Sequence, residues 1–352
     1  MKQTFEIRGH AVGTDAPCFV IAEAGSNHNN SLELARSLID VAAAAEANAV
    51  KFQTFKAKRL YPKSAGQSDY LGDARSIYDI IAAMEMPEAW LPELCDYAHS
   101  KGRAFISTPF HEEAVEVLAP FVDAFKIASY EMNHHPLLRA VARQGKPVIM
   151  STGASNLEEV RRSVEVLQEE GCEALVLLQC TAAYPAPPES VNVSALVTLR
   201  EAIGVPTGLS DHSRDPVVAP MVAAALGAAV LEKHYTLSNH LPGPDHAFAV
   251  EPHELARLVK RVRDVEQVLG SGAKTVHGVE DELRAFARRS VFALRPIAIG
   301  EVFSAENVDV LRNGKHAQGL EPEWLDAVIG QVARTQIAGE RPLTWQDVEL
   351  DR

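Results

Sequence analysis

Eight apolar runs of strand length recur between residues 18 and 234, and stretches with helical spacing separate them. The runs are nearly continuous in apolar residues, which is typical of strands buried on both faces of a parallel sheet. Eight strand–helix units within about 250 residues predict a (β/α)8 TIM barrel, and a doubly wound open sheet is the competing fold. The runs cover residues 18–25, 49–55, 104–110, 124–130, 147–153, 174–181, 205–210 and 228–234.

The alternation of strands and helices stops after Leu269. A Gly-Ser-Gly sequence and a charged helical stretch follow, and then short strand patterns interrupted by Pro and Gly. We therefore predict a catalytic barrel over residues 1–272, a linker over 273–289 and a small, mostly β domain over 290–352. A unit of about 60 residues has little core of its own, so we expect it to lean on the barrel or on another subunit.

Charge and cysteine content narrow the class of protein. The formal net charge of −13 argues against a nucleic-acid surface and against strong attraction to an anionic membrane. The first eight residues lack the apolar core of a signal peptide. The four cysteines have neither paired nor zinc-type spacing, which favours a reduced, cytoplasmic compartment.

Polar side chains gather where the apolar runs end, and a barrel carries its active site at the C-terminal ends of its strands. Because alternate residues of a strand point the same way, Lys51 and Gln53 can both face the barrel mouth, as can Ser210 and His212. The polar residues at or just after the strand ends are Glu23, Lys51, Gln53, Thr108, Lys126, Ser129, Glu131, Ser151, Tyr184, Ser210, His212 and His234.

Lys51 and Lys126 stand out because an unpaired lysine is costly inside an apolar strand. One interpretation pairs each lysine with a carboxylate such as Glu23 or Glu131. In the other, the two ammonium groups and the hydroxyl groups of the neighbouring strand ends bind a phosphate or a carboxylate. The presence of two lysines together with several hydroxyl groups favours the anion site.

His212 and His234 close the seventh and eighth runs, which are neighbours in a barrel. Each imidazole can supply one nitrogen to a divalent metal, and substrate and water can supply oxygen ligands. A histidine of this kind can also be a structural hydrogen-bonding residue. The residues alone leave both interpretations open.

Seven ordered motifs together resemble the sialic acid synthases, the family that makes N-acetylneuraminate, legionaminate and pseudaminate. The resemblance covers nearly the whole chain, and the tail from about Ser290 is similar to the antifreeze-like (SAF) domain that ends these enzymes. The motifs are EAGSNH at 23–28, KFQ at 51–53, STPF at 107–110, KIAS at 126–129, STG at 151–153, GLSDH at 208–212 and PGPD at 242–245.

The resemblance implies that phosphoenolpyruvate condenses with an N-acetylated amino sugar such as N-acetylmannosamine, with phosphate released by C–O cleavage. It implies a divalent ion, Mn²⁺ or Mg²⁺, held by His212 and His234. It implies roles for the remaining site residues: Glu23, Lys51, Lys126 and Glu131 in catalysis, Lys51, Thr108, Lys126, Ser129, Ser151 and Ser210 in binding phosphoenolpyruvate, and Glu23, Gln53, Tyr184 and Asp245 in binding the sugar.

The resemblance also implies a domain-swapped homodimer, in which the SAF domain of one subunit caps the barrel of its partner. An arginine of that domain would contact the N-acetyl group, and Arg312 is the candidate, in a stretch that departs from the family's usual Arg-Pro-Gly pattern. One alternative is a related synthase acting on a non-acetylated or phosphorylated sugar, with Lys56, Lys58 and Arg59 as candidate cations. The other is a non-catalytic sugar-binding barrel.

Overall fold

The eight predicted strands close into a parallel barrel in the computed structural model, which describes residues 1–67 and 75–348. Each strand pairs with its neighbours in sequence, and the last strand pairs back onto the first. The predicted barrel is confirmed, and the open sheet is wrong. The barrel strands are β3 (Phe19–Gly25), β4 (Ala49–Thr54), β5 (Ala104–Pro109), β6 (Ala124–Ile127), β7 (Val148–Ser151), β8 (Leu175–Cys180), β9 (Thr207–Asp211) and β10 (Val230–His234).

Helices follow the strands and bury one apolar face each. Their starts are set locally: the Ser31 side chain caps the first helix, and Asn156 and Glu159 form a capping box at the helix after β7. The helices of this unit are α1 (Leu32–Ala44), α2 (Ala57–Leu60), α3 (Ile77–Ala83), α4 (Leu91–Ser100), α5 (Glu112–Leu118), α6 (His135–Ala142), α7 (Leu157–Glu169), α8 (Ala195–Ile203), α9 (Val218–Ala225) and α10 (Pro252–Leu269).

An N-terminal hairpin closes the other end of the barrel. Strands β1 (Thr4–Ile7) and β2 (His10–Gly13) pair antiparallel, and Ile7 and Val12 join an apolar cluster with the first residues of several barrel strands. The hairpin did not emerge from the sequence pattern, because each of its strands has only four residues. Apolar side chains therefore fill the N-terminal end of the barrel.

The fourth strand is shorter than its apolar run. The run extends to Tyr130, but β6 ends at Ile127 and residues Ser129–Glu131 form a 3₁₀ turn. The turn is closed by the Glu131 amide, which donates to the Ala128 carbonyl at 3.1 Å. Ser129 and Glu131 are therefore placed by a turn, and strand alternation does not apply to them.

The chain divides into two compact units, Met1–Gly270 and Ser271–Arg352. The second unit contains an antiparallel sheet in which β11 (Arg289–Ala293) lies between β12 (Val308–Arg312) and β13 (Arg341–Pro342). It also has a buried apolar core of its own, which includes Val291, Phe303 and Ile337. That core is larger than expected for so small a domain. No helix in the described part of the chain is long and apolar enough to cross a membrane. The elements of this unit are α11 (Asp281–Ala287), β11 (Arg289–Ala293), β12 (Val308–Arg312), α12 (Leu325–Val328) and β13 (Arg341–Pro342).

Candidate active site

Five of the six predicted phosphoenolpyruvate-binding residues lie with Glu23 in a buried polar layer formed by the barrel strands, and the sixth, Ser129, is half-buried. The shared property is burial: Glu23, Thr108, Lys126 and Ser210 are at most 2% exposed, and Lys51 is 3% exposed. Charged groups at such positions require partners or a ligand. The partners of each lysine therefore decide between the two interpretations left open by the sequence.

Lys51 has a carboxylate partner. Its Nζ lies 3.0 Å from Glu23 Oε2 and donates to Thr108 Oγ1 at 3.2 Å. Burial lowers the pKa of Lys51, but the charges of Glu23 and Glu232 outweigh burial and leave the pKa above its usual value. The pairing interpretation thus holds for Lys51 and Glu23, and the Thr108 hydroxyl adds a polar group beside the same ammonium.

Lys126 faces a different set of neighbours. Its Nζ donates to Ser151 Oγ at 2.6 Å and to the Ile127 carbonyl at 3.1 Å, and it lies 3.7 Å from Glu232 Oε1. Burial is the largest influence and lowers the pKa of Lys126, although Glu232 opposes that change. The nearest carboxylate is therefore Glu232, and neither Glu23 nor Glu131 forms an ion pair with Lys126.

Glu232 is the site residue that sequence reasoning missed. Its Oε1 accepts from Ser210 Oγ at 3.0 Å, and its Oε2 lies 3.9 Å from Lys51 Nζ, with no hydrogen-bond partner among the described residues. Burial raises the pKa of Glu232, but Lys126 and Lys51 outweigh burial and lower it. The signal was present in the sequence, because Glu232 is two residues before His234 and shares its face of β10.

A second cluster gathers three of the predicted sugar-binding residues around Gly25. Gln53 Nε2 donates to Glu23 Oε1 at 2.7 Å. Gly25 has φ +53°, and a Cβ there would lie 3.3 Å from Asp245 Oδ2 and 3.5 Å from Glu23 Oε1. Burial raises the pKa of Glu23 to about 7 and that of Asp245 to about 6. These carboxyl groups can therefore exchange a proton near neutral pH.

A cavity of about 570 Å³ opens beside this cluster. Its wall combines polar groups with apolar and aromatic side chains, as expected for a site that binds a sugar-sized molecule. The lining residues are Ser26, Gln53, Phe55, Tyr61, Ile81, Met84, Tyr130, Ala182, Tyr184, His234, Pro244, Asp245 and Phe248.

The two predicted metal-binding histidines lie next to each other, with ring centroids 5.3 Å apart. His212 Nδ1 is 2.9 Å from the Thr181 carbonyl, which can only accept, so Nδ1 carries the proton and Nε2 keeps its lone pair. His234 Nδ1 is buried and has no hydrogen-bond partner in the described part of the chain. Burial lowers the pKa of His212 to about 4 and holds that of His234 well below its usual value.

Neutral imidazoles with a free nitrogen are the form that binds a divalent metal, so the two side chains fit this role. Residues 1–67 and 75–348 contain no group of three or more His, Cys, Asp or Glu side chains arranged to hold a metal. The protein would therefore supply two nitrogen ligands, and oxygen atoms of substrate and water would complete the coordination.

The remaining predicted site residues are Tyr184, Ser129, Glu131 and Arg312. Tyr184 stacks on His212 with centroids 4.1 Å apart, and Ser129 Oγ accepts from the Gly153 amide at 3.0 Å. Burial raises the pKa of Glu131 to about 7. Arg312 belongs to the second unit, where it is exposed at the end of β12, and its contact with the sugar stays a prediction.

Two family models match the chain. The model described as NeuB family matches residues 38–274, and the model described as SAF domain matches residues 288–349. The chain belongs to the NeuB family. The family resemblance inferred from the motifs is thereby confirmed, including the SAF domain at the C-terminal end.

Two relatives of this NeuB-family chain are named as a polysaccharide biosynthesis protein and as a synthase. The chain is 41% identical over 363 residues to the spore coat polysaccharide biosynthesis protein SpsE of Bacillus subtilis, covering 98% of this chain and 97% of that protein. It is 36% identical over 346 residues to the N,N'-diacetyllegionaminic acid synthase of Legionella pneumophila, covering 96% of each.

A solved structure shows the same likeness. The N-acetylneuraminic acid (sialic acid) synthetase from Leptospira borgpetersenii, crystallised in complex with citrate, superposes with a TM-score of 0.73 at 32% identity. The match covers 80% of this chain and 95% of that one. The chain is therefore an enzyme of the synthase family, as the motifs predicted.

Proposed function

We propose that this enzyme condenses phosphoenolpyruvate with an open-chain N-acetylated amino sugar and releases phosphate by C–O cleavage. The observation that carries the proposal is the buried lysine pair, Lys51 and Lys126, with Glu232 between them and a hydroxyl neighbour on each. Phosphoenolpyruvate carries a phosphate and a carboxylate, and two ammonium groups in a water-poor layer suit both.

The six predicted phosphoenolpyruvate-binding residues would act as hydrogen-bond donors to these anionic groups. Lysine can contact a phosphate as a mobile point charge, and hydroxyl groups adjust their direction to the oxygen they meet. Gly153 keeps the Ser129 hydroxyl accessible, because a Cβ at that position would lie 2.8 Å from its oxygen. The residues are Lys51, Thr108, Lys126, Ser129, Ser151 and Ser210.

The sugar would occupy the cavity beside Glu23, Gln53, Tyr184 and Asp245. An unphosphorylated acceptor is favoured, because the described lining residues include neither lysine nor arginine. Two of the three candidate cations of the alternative are engaged elsewhere: Lys56 pairs with Glu85 and Glu88, and Arg59 pairs with Glu112 and Glu113. The third, Lys58, is exposed and does not line the cavity. Residues 68–74, which lie outside the described residues, contain two aspartates and no basic side chain.

His212 and His234 would hold a divalent ion, Mn²⁺ or Mg²⁺, which when bound supplies a Lewis acid for the aldehyde oxygen of the acceptor. The protein's own part is to keep both imidazoles neutral through burial and to orient His212 through Thr181. Tyr184 stacks on the same ring and restricts its rotation.

In the proposed reaction, C3 of phosphoenolpyruvate forms a bond to the aldehyde carbon, and the aldehyde oxygen takes up a proton. Water then adds to the electron-poor C2 and loses a proton, and the C2–O bond breaks so that its electron pair leaves with phosphate. The products are a 2-keto acid and inorganic phosphate. Glu23 is our candidate to move a proton, either to open the sugar ring or to accept one from water, because its pKa of about 7 allows both forms.

The test is phosphate release from phosphoenolpyruvate in the presence of Mn²⁺ and a panel of acceptors. The panel contains N-acetylmannosamine, its 6-phosphate, di-N-acetylated 6-deoxyhexoses and mannose. Phosphoenolpyruvate labelled with ¹⁸O at the bridging oxygen should deliver the label to phosphate, because the C–O bond breaks. Absence of phosphate release with every acceptor would overturn the proposal, and release with the 6-phosphate alone would establish the alternative.

The proposal includes a homodimer in which Arg312 of one subunit completes the site of its partner. Subunits carrying Arg312→Ala and subunits carrying Lys51→Met should each be inactive alone. After the two are mixed and exchanged, one site of each mixed dimer would be free of both changes, and activity should return. Failure to recover activity in verified mixed dimers would contradict a shared site.

A further inference from the structure

Lys233 is a buried lysine at the mouth of the barrel that the proposed chemistry does not use. It lies on β10 between Glu232 and His234, so strand alternation directs it to the opposite side of the sheet from both. The residue is 1% exposed, and its register partner on β9 is Asp211, which is equally buried. The two side chains form an ion pair of 2.6 Å between Nζ and Asp211 Oδ2.

The ammonium group of Lys233 has an acceptor for each of its protons. Besides Asp211, it donates to the Ser213 carbonyl and, at 3.1 Å, to the Asp215 carbonyl. An ammonium has three donors, so this set leaves none for a substrate anion. Lys233 therefore differs in kind from Lys51 and Lys126.

The acceptors of Lys233 all belong to the segment that carries His212. Asp211 and Ser213 flank His212 directly, and Asp211 Oδ1 also accepts from the Ser213 amide at 2.8 Å. Lys233 itself is bonded through the main chain to His234. The Lys233 ammonium thus connects the residue before His234 to the Asp211 side chain, which precedes His212, and to the backbone that follows His212.

We propose that Lys233, through Asp211, is a positioning residue that fixes His212 and His234 relative to each other for a divalent cation. The proposal rests on the metal site of the proposed function. Groups that orient metal ligands without touching the metal contribute strongly to affinity, because they hold the ligands in the binding geometry before the ion arrives.

The experiment measures Mn²⁺ binding to the full-length protein without substrates, by calorimetry and by electron paramagnetic resonance. Lys233→Met should weaken Mn²⁺ binding on the order of ten- to a hundredfold. The same variant should bind phosphoenolpyruvate in the absence of metal within about twofold of the wild type, because Lys51 and Lys126 are untouched.

Lys126→Met is the matched control, since it also removes a buried strand lysine. It should show the opposite pattern, with weaker phosphoenolpyruvate binding and an unchanged Kd for Mn²⁺. Lys260→Met, which removes an exposed lysine paired with Asp264, should change neither. A purely structural role for Lys233 would lower thermal stability and leave the Mn²⁺ Kd of the folded variant at the wild-type value, and that result overturns the proposal.

Asp211→Asn covers the case in which Lys233→Met does not fold, because it keeps both carbonyl acceptors of the lysine. It should also weaken Mn²⁺ binding, and a wild-type Kd in this variant overturns the proposal equally. His212→Ala separates the two levels of inference. If His212→Ala binds Mn²⁺ as tightly as the wild type, the metal site itself is wrong and the positioning role falls with it; if it loses Mn²⁺ while Lys233→Met and Asp211→Asn do not, only the positioning role is wrong.

Discussion

Lys126 on the inward face of the barrel mouth and Lys233 on the outward face are both buried, but they differ in their hydrogen-bond acceptors. On the inward face, Lys126 donates to a hydroxyl and a carbonyl and lies 3.7 Å from Glu232. On the outward face, Lys233 donates to a carboxylate at 2.6 Å and to two carbonyls. Burial is the largest influence on both and lowers the pKa of each.

Burial therefore does not distinguish a ligand-binding lysine from a structural one. The difference lies in the acceptors, because the inward cluster leaves Glu232 Oε2 without a hydrogen-bond partner among the described residues, whereas Asp211 receives bonds on both oxygens. Incomplete hydrogen bonding in a buried charged cluster indicates a place where a ligand completes the set. This difference supports both proposals: the inward face binds a ligand, and the outward face positions the two histidines.

The largest effect is expected from Lys51→Met, which removes an inward cation. We expect kcat/KM for phosphoenolpyruvate to fall by about 10²- to 10³-fold, because truncating one partner of a buried charge pair costs about 2–5 kcal/mol. Steady-state kinetics with varied phosphoenolpyruvate would check this. A value within twofold of the wild type would remove Lys51 from the binding site.

The stability of the fold should depend more on the outward lysine, Lys233, than on the inward lysine, Lys126. Lys233→Met leaves Asp211 buried without its cation, and we expect the free energy of unfolding to fall by roughly 3–5 kcal/mol. Lys126→Met should cost less, about 1 kcal/mol, because Glu232 lies 3.7 Å from Lys126 and keeps the Ser210 hydroxyl and Lys51 as neighbours after the change. Urea denaturation followed by circular dichroism would compare the two. Equal losses would abolish the distinction between the faces.

A double variant tests whether the unpaired charge of Asp211 causes this loss of stability. Replacing both members of the outward pair, as Asp211→Leu with Lys233→Met, removes the charge that the single change leaves behind. The double variant should recover part of the lost stability.

Glu131 predicts a pH dependence of stability on the inward side. Burial raises its pKa to about 7, whereas an unfolded glutamate titrates near 4.3. Between these values the native state retains a proton that the unfolded state has lost, so stability falls as pH rises, by at most about 4 kcal/mol. Glu131→Gln should therefore be more stable relative to wild type at pH 8 than at pH 5. A difference independent of pH would contradict the shifted pKa.

A smaller effect than that of the outward pair is expected from an ion pair in the second unit, whose carboxylate accepts several hydrogen bonds. Arg341 Nη2 lies 2.5 Å from Asp347 Oδ1, and Thr335 and Thr344 also donate to this carboxylate. Burial opposes these bonds but is outweighed, and the pKa of Asp347 falls to about 2. The contribution is present above pH ~4 and is lost as pH falls toward 2, and Asp347→Asn should cost about 1–2 kcal/mol at pH 7. Thermal denaturation at pH 7 and pH 2.5 should show the variant and the wild type converging at the lower pH.

Much of the candidate site was predictable, because the alternation of side chains along a strand and the positions of the strand ends indicate which residues face the barrel mouth. Lys51, Lys126, His212 and His234 follow from their positions in apolar runs, and they lie at the mouth as expected. Ser129 and Glu131 lie on a turn, which the apolar pattern extended into a strand. The spacing of apolar residues indicates which side chains are buried. It does not indicate the residue at which the backbone leaves the sheet.

By itself, the sequence determined the barrel, the order of its strands and the residues at its mouth, because the period of apolar positions and the right-handed strand–helix–strand connection leave few other folds. Only the tertiary structure decided which carboxylate faces which lysine, and that Glu232 lies between Lys51 and Lys126. It also decided that Lys233 donates its hydrogen bonds to Asp211 and to two backbone carbonyls. These pairings depend on distances between atoms of neighbouring strands. The order of residues along the chain does not contain those distances, so it does not show which buried groups form hydrogen bonds with each other.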